Sequence, residues 1–207
     1  MYPDLTYSNA VLSIEKSLTK GKFAKADVFI ANVRGRRLIV KDFGTKGLLE
    51  RNLIGRIVIG RELRAYRELA GIYGLPSQFK RLSPFSLAIE YLEGQDLGRI
   101  AHSEIGPGVI LQFERIMEDL HERGWVHLDL QRRSNILLVN GKVFVVDLAS
   151  AFHPGGVPVI GRLLTRIMSF FDHLSLVKLK SIFAPELLSR QDRKMMKLRN
   201  LVMRRKW

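Results

Sequence analysis

The spacing of apolar residues changes character along the chain. Early on, they fall in short runs rich in β-branched and aromatic residues. Asp27 to Asn32 and Arg37 to Phe43 predict two strands, separated by the turn-like basic stretch Val33-Arg34-Gly35-Arg36. The first forty-odd residues as a whole read as strands. A helix is predicted near Gly60 to Ala70, broken by Gly71-Ile72-Tyr73-Gly74-Leu75-Pro76. A second strand pair is predicted across Phe79 to Leu82 and Ser86 to Tyr91, after which Glu93-Gly94 reads as a linker.

Beyond Pro107 the period becomes helical. Ile110, Phe113, Met117 and Leu120 share one stripe, and Gly124 is placed to stop the helix. Two short apolar runs follow, Asn135 to Val139 and Val143 to Leu148, joined by Asn140-Gly141, a strong hairpin signal. The remainder reads as helix, with Ile160, Leu163, Leu164, Ile167, Met168 and Phe171 on a long apolar stripe. No internal repeat is present. Strands first and helices later predict an α+β, bilobal arrangement: a β-rich N-terminal lobe with one helix over residues 1–93, and a helical C-terminal lobe over 94–207.

The chemistry concentrates in Leu120-His121-Glu122-Arg123-Gly124-Trp125-Val126-His127-Leu128-Asp129-Leu130 and its continuation through Asn135 to Asp147. A helix ends, a loop presents His127 and Asp129, Asn135 opens one strand of the hairpin, and Asp147 closes the other. A hairpin brings the entry of one strand near the exit of its partner, so Asp129, Asn135 and Asp147 are expected at one mouth. Phosphoryl transfer needs such a group: one carboxylate to orient or deprotonate a hydroxyl, and hard oxygen donors for Mg²⁺ on nucleotide phosphates.

Here the sequence resembles the protein-kinase-like superfamily, whose catalytic loop reads His-x-Asp, then Asn, then a metal-binding Asp. The resemblance implies ATP and Mg²⁺ as cofactors, Asp129 as catalytic base, Asn135 and Asp147 as metal ligands, and His127 as a support for the loop. Leu38-Ile39-Val40-Lys41-Asp42-Phe43 looks like the strand that carries the phosphate-binding Lys, which makes Lys41 that residue. Its partner is expected to be Glu62, which shares a helical face with Ala65, Tyr66 and Leu69. Glu68 instead lies with Arg61 and Arg64 in an exposed pair. Leu87 to Gly94 resembles the strand and linker that bind adenine, with Glu90 and Leu92 contributing backbone groups.

The departures from the pattern are specific. Gly21 is the only glycine of the expected phosphate loop, Lys20-Gly21-Lys22-Phe23-Ala24-Lys25-Ala26. The step from Asp129 to Asn135 is one residue longer than in most kinases. Gln131 stands where a Lys is usual, leaving Arg132 or Arg133 to supply positive charge. Asp147-Leu148-Ala149 replaces Asp-Phe-Gly, and no Ala-Pro-Glu element follows, so an ordinary peptide-docking platform is not expected. The compact pattern is similar to RIO-type kinases and to bacterial lipopolysaccharide-core kinases that phosphorylate Kdo or heptose.

Composition narrows the partners. The 34 Lys and Arg exceed the 20 Asp and Glu of this 207-residue chain, a net charge of +14 that attracts polyanions: anionic lipid, a phosphorylated glycan or nucleic acid. Ser189 to Trp207 reads as a basic helix opened by a Ser189–Asp192 capping box. Met195, Leu198, Leu201 and Val202 fall on one side among Lys194, Lys197, Arg199 and Arg204 to Lys206. Such a helix suits an anionic membrane surface, or packs on the large lobe with its basic face in water. There is no cysteine, which excludes disulfides, thiolate metal sites and cysteine nucleophiles. His102, His153 and His173 have no metal-ligand spacing, and Arg34, Arg36 and Arg37 lack the interleaved aromatics of a nucleic-acid platform. No apolar run approaches the roughly 20 residues of a membrane helix, and Met1-Tyr2-Pro3-Asp4 does not open a signal peptide, so a cytoplasmic location is expected.

Three functions compete on this sequence. The first is an ATP-dependent kinase for an anionic sugar or glycolipid acceptor. The second is a RIO-like Ser/Thr protein kinase serving ribosomes, and the third a nucleotide-binding scaffold without transfer activity.

Overall fold

A computed structural model describes residues 5–155 and 158–202, and their side chains other than those of 158–160, 162 and 198–202. The chain is α+β and divides into two compact units, Met1–Gly71 with Leu75–Glu93, and Ile72–Gly74 with Gly94–Trp207.

The first unit is built on a five-stranded antiparallel sheet. Helix α1 (Tyr7–Leu12) precedes β1 (Ile14–Thr19), β2 (Asp27–Val33) and β3 (Arg36–Asp42). After a π-helical turn at Glu50–Gly55 come α2 (Arg56–Glu68), β4 (Phe79–Ser83) and β5 (Ser86–Glu90), in the sheet order β1-β2-β3-β5-β4. The period-two alternation of β3 sets its two faces. Leu38 and Val40 join Phe29, Ala31, Ala88 and Ala10 of α1 in a buried cluster, and Asp42 on the same face accepts a hydrogen bond from Tyr7 Oη at 2.9 Å. Ile39 and Lys41 therefore face the other way, toward α2, where Tyr66 stacks on Phe79. Helix α2 starts four residues earlier than its apolar pattern predicts, because the π-helical turn runs directly into it. The expectation of strands throughout the first forty-odd residues fails at α1, a helix opened by Thr6, whose Oγ1 accepts the Asn9 amide at 3.2 Å. Arg37 of β3 pairs with Glu15 of β1 and lies over the ring of Tyr91.

The second unit places β6 (Gln95–Asp96) beside a hairpin of β7 (Ile136–Val139) and β8 (Lys142–Val145), with helices α3 (Pro107–Glu122), α4 (Pro158–Phe183) and α5 (Arg190–Val202). Asn140 and Gly141 both have positive φ, as a two-residue hairpin turn demands. Gly124 at φ +77° ends α3: its amide donates to His121 O and that of Trp125 to Leu120 O, the paired bonds of a Schellman stop. Ile72–Gly74 belongs here because Val145 N–H donates to Gly74 O at 2.7 Å and Tyr73 lies beside Phe144.

The capping box of α5 forms as its residues predict. Ser189 N–H donates to Asp192 Oδ2 at 2.9 Å, and Asp192 N–H to Ser189 Oγ at 3.0 Å. Asp192 also meets His173 of α4 at 3.2 Å. The side chains of Leu198, Arg199, Leu201 and Val202, and the whole of Arg204 to Lys206, lie outside the described residues. Among the described residues no helix is long and apolar enough to cross a membrane.

Candidate active site

In the second unit the loop after α3 is built from the helix stop outward. Trp125 is buried, and Val126 pairs with Phe152 through two backbone hydrogen bonds. His127 then enters the interior, fully buried. Its Nε2 lies 3.2 Å from Val146 O, and since a carbonyl can only accept, Nε2 carries the proton. Nδ1 is then the acceptor for the amide of Asp129, at 3.4 Å. Burial holds the imidazole below its ordinary pKa of 6.5, although Asp172, the Val146 carbonyl, Asp147 and Asp129 pull the other way. Neutral His127 is thus the form that fits both contacts.

Asp129 is held on both carboxylate oxygens. Arg132 Nε is 3.3 Å from Oδ1, and Asn135 Nδ2 donates to Oδ2 at 3.3 Å and to the Asp129 carbonyl at 3.0 Å. Residues Arg133–Asn135 form a 3₁₀ turn, so Asn135 sits just before β7 rather than opening it. Of Arg132 and Arg133, it is Arg132 that reaches Asp129. The guanidinium of Arg133 lies over the ring of Phe183, 5.9 Å from its centroid.

Asn135 O accepts the amide of Val146 at 2.9 Å, which ties the hairpin mouth together. Asp147 follows Val146, but outside the strand: β8 ends at Val145, and Asp147 at φ +66° caps a 3₁₀ turn, accepting from the Ala149 amide at 3.4 Å. The hairpin thus brings Asn135 and Asp147 to the same end as Asp129, by way of a loop and two turns rather than strand termini. Asn135 commits its amide hydrogens to Asp129, so its oxygen is the atom a cation would take. One carboxylate and one amide oxygen suit Mg²⁺, which takes its remaining ligands from phosphate and water. Among the described residues no group of three or more acidic or histidine side chains forms a metal site by itself.

Asp172 of α4 was not singled out by its sequence. It is buried and accepts the amides of His127 at 2.7 Å and Leu128 at 2.8 Å, with His121 Nε2 3.0 Å away. Leu128 is left-handed at φ +66°, which is costly for a side chain of this size. Two charge-assisted hydrogen bonds offset that strain. The available signal was an acid at the helical period of Thr165 and Ser169, the one acid in the sequence from Pro158 to Phe183.

In the first unit Lys41 Nζ and Glu62 Oε1 are 2.6 Å apart, with side chains 11% and 0% exposed. Glu68 pairs instead with Arg64 on the exposed face. Gly21 is required by packing: a Cβ there would lie 2.1 Å from Lys25 O and 2.4 Å from Ala26 O. Its amide donates to Asp27 Oδ1 and its carbonyl accepts from Lys46 Nζ, which also binds Asp27 at 2.7 Å. Burial opposes ionisation of Asp27, but the bonds from Lys46, Thr45 and the Gly21 amide outweigh it and hold the pKa below its ordinary value. This lock joins Gly21 to Asp27 and Lys46. Glu90 spends its amide on Gln78 O and its carboxylate on Ser77 and Gln78. Leu92 lies just beyond β5, outside any strand.

No protein-family model matches the chain, and no curated protein matches it in sequence.

Proposed function

We propose that the protein is an ATP- and Mg²⁺-dependent phosphotransferase with a protein-kinase-like bilobal fold, whose acceptor is a hydroxyl of an anionic sugar or glycolipid, of the lipopolysaccharide-core kind. The observation that carries this reading is Asp129 held by Asn135 and Arg132 on a loop whose geometry depends on neutral His127.

In this mechanism Asp129 receives the hydrogen bond of the acceptor hydroxyl and takes its proton as the oxygen bonds to the γ-phosphorus. The bond from that phosphorus to the β–γ bridging oxygen breaks, and ADP carries away the electron pair. Asn135 and Asp147 would hold Mg²⁺, which when bound neutralises charge on the nucleotide phosphates. Lys41, kept in place by Glu62, serves the same phosphates, and Leu92 with the carbonyl of Glu90 serves the adenine. Arg132 supplies the positive charge that the usual Lys would bring. A peripheral contact with an anionic membrane face belongs to this reading, since a glycolipid acceptor is met there.

The test is incubation with γ-labelled ATP and, separately, core glycolipid, total protein and ribosomes. Label entering glycolipid is the expected result. Label only in protein would replace this reading by the RIO-like one, and no label anywhere, with ATP still raising the Tm, would leave a nucleotide-binding scaffold.

A further inference from the structure

Helix α4 carries its apolar stripe on the wrong side for a helix that only packs. Leu163, Leu164, Ile167, Phe170 and Phe171 are between 40% and 57% exposed, and at 100° per residue they fall within an arc of about 120°. The inward arc of the same half holds two buried polar groups beside half-buried Met168: Thr165 donates to Gly124 O and Gly161 O, and Asp172 lies under the Leu128 loop. In the second half of the helix the inward side is filled by Leu176, Leu179 and Phe183, all buried. Thr165, Asp172, Leu176, Leu179 and Phe183 lie within about 60° of one another, so one side faces inward throughout. On the outward side Val177 is buried and Leu174 half-buried, so the exposed apolar face is confined to residues 163–171 and is an addition to the packing there.

Charge decides what fits that face. From Pro158 to Phe171 the sequence has two arginines, Arg162 and Arg166, and no acid. Arg166 is exposed. A second copy of this chain would bring another +14 against the first and set like charges across the contact. An apolar face flanked by arginine and free of acids fits the headgroup layer of an anionic bilayer, with Leu, Ile and Phe reaching the acyl boundary. As no described helix can span a membrane, contact would be in the plane of the interface.

We propose that the outward face of α4, centred on Ile167 and Phe171, is a docking surface for an anionic lipid bilayer. This deepens the functional reading above by naming where the protein meets the membrane. It is tested without ATP or acceptor, so its failure leaves the phosphotransfer reading standing, and the converse holds. The full chain is co-sedimented with vesicles of phosphatidylcholine alone and of phosphatidylcholine with phosphatidylglycerol. Binding is expected to the anionic vesicles and not to the neutral ones. Ile167→Ala with Phe171→Ala should weaken it about tenfold or more, since two large side chains lose their burial in lipid, and Arg166→Glu should weaken it further. Alanine preserves helix propensity, and Leu163→Ala with Leu164→Ala gives a second pair should the first not fold. Three results would each overturn the proposal: no binding by the native chain, equal binding to both vesicle types, or unchanged binding by both alanine pairs. A dimer in light scattering that the alanine pairs disperse would also overturn it, in favour of self-association.

Discussion

Asp172 accepts the backbone amide of Leu128 at 2.8 Å across 44 residues of sequence, and Leu128 is one of the few non-glycine residues at positive φ. A buried carboxylate on a helix thus fixes the conformation of the residue immediately before Asp129. Asp172→Ala removes the acceptor of one buried and one half-buried amide and should lower unfolding free energy by about 3 kcal/mol or more. Urea denaturation measures this, and a loss within experimental error of zero would mean the loop is held by other contacts.

Asp129→Asn keeps the size of the side chain and removes the carboxylate proposed as the base. Transfer from γ-labelled ATP should fall by about a hundred- to ten-thousand-fold, while the rise in Tm on adding ATP and Mg²⁺ persists. Transfer at the native rate would remove Asp129 from the mechanism.

Lys41 and Glu62 form a pair with one partner wholly buried. Lys41→Met and Glu62→Gln should each raise the KM for ATP, and in a double-mutant cycle the two changes should couple by roughly 1–3 kcal/mol. Simple additivity would show that the pair does not act as a unit.

The pKa of His127 is depressed in the folded protein from 6.5. The unfolded chain therefore binds the proton first as pH falls, so this contribution is whole above pH 6.5 and is lost progressively below it. Plotting the midpoint of urea unfolding against pH should show a decline below 6.5 that is shallower in His127→Gln. Parallel curves for the two proteins would contradict a buried neutral imidazole.

Tyr7 has the opposite sign. Burial first, then the hydrogen bond to Asp42 and its charge, push the phenol from 10.0 up to about 12. The neutral phenol's contribution is whole below pH 10 and is lost as pH climbs from 10 toward 12. The gap in Tm between the native protein and Tyr7→Phe should narrow over that interval. A constant gap would count against the Asp42 contact.

Much of this was legible from residue pattern. The hairpin turn at Asn140-Gly141, the Gly124 helix stop, the Ser189–Asp192 box and the choice of Glu62 over Glu68 all depend on spacing within a few residues, where local geometry leaves little freedom. The Gly21 lock was not legible, because Asp27 and Lys46 meet only after the chain has turned back on itself. Arg132 and Arg133 are adjacent, and only the path of the 3₁₀ turn separates their partners.

By itself the sequence determined the α+β class, the order of the longer elements from β2 onward and which residues share a face of a helix or strand, since those follow from the periods of the backbone. Tertiary structure alone decided which way a face points. The stripe from Leu163 to Phe171 is visible in the sequence, yet it lies outward, because the inward side of α4 is taken by Asp172 and the amides it must satisfy. A buried hydrogen-bonded carboxylate cannot exchange places with apolar side chains without leaving charge and amides unpaired, so this long-range contact, together with buried Leu176, Leu179 and Phe183, sets which side of the helix faces inward.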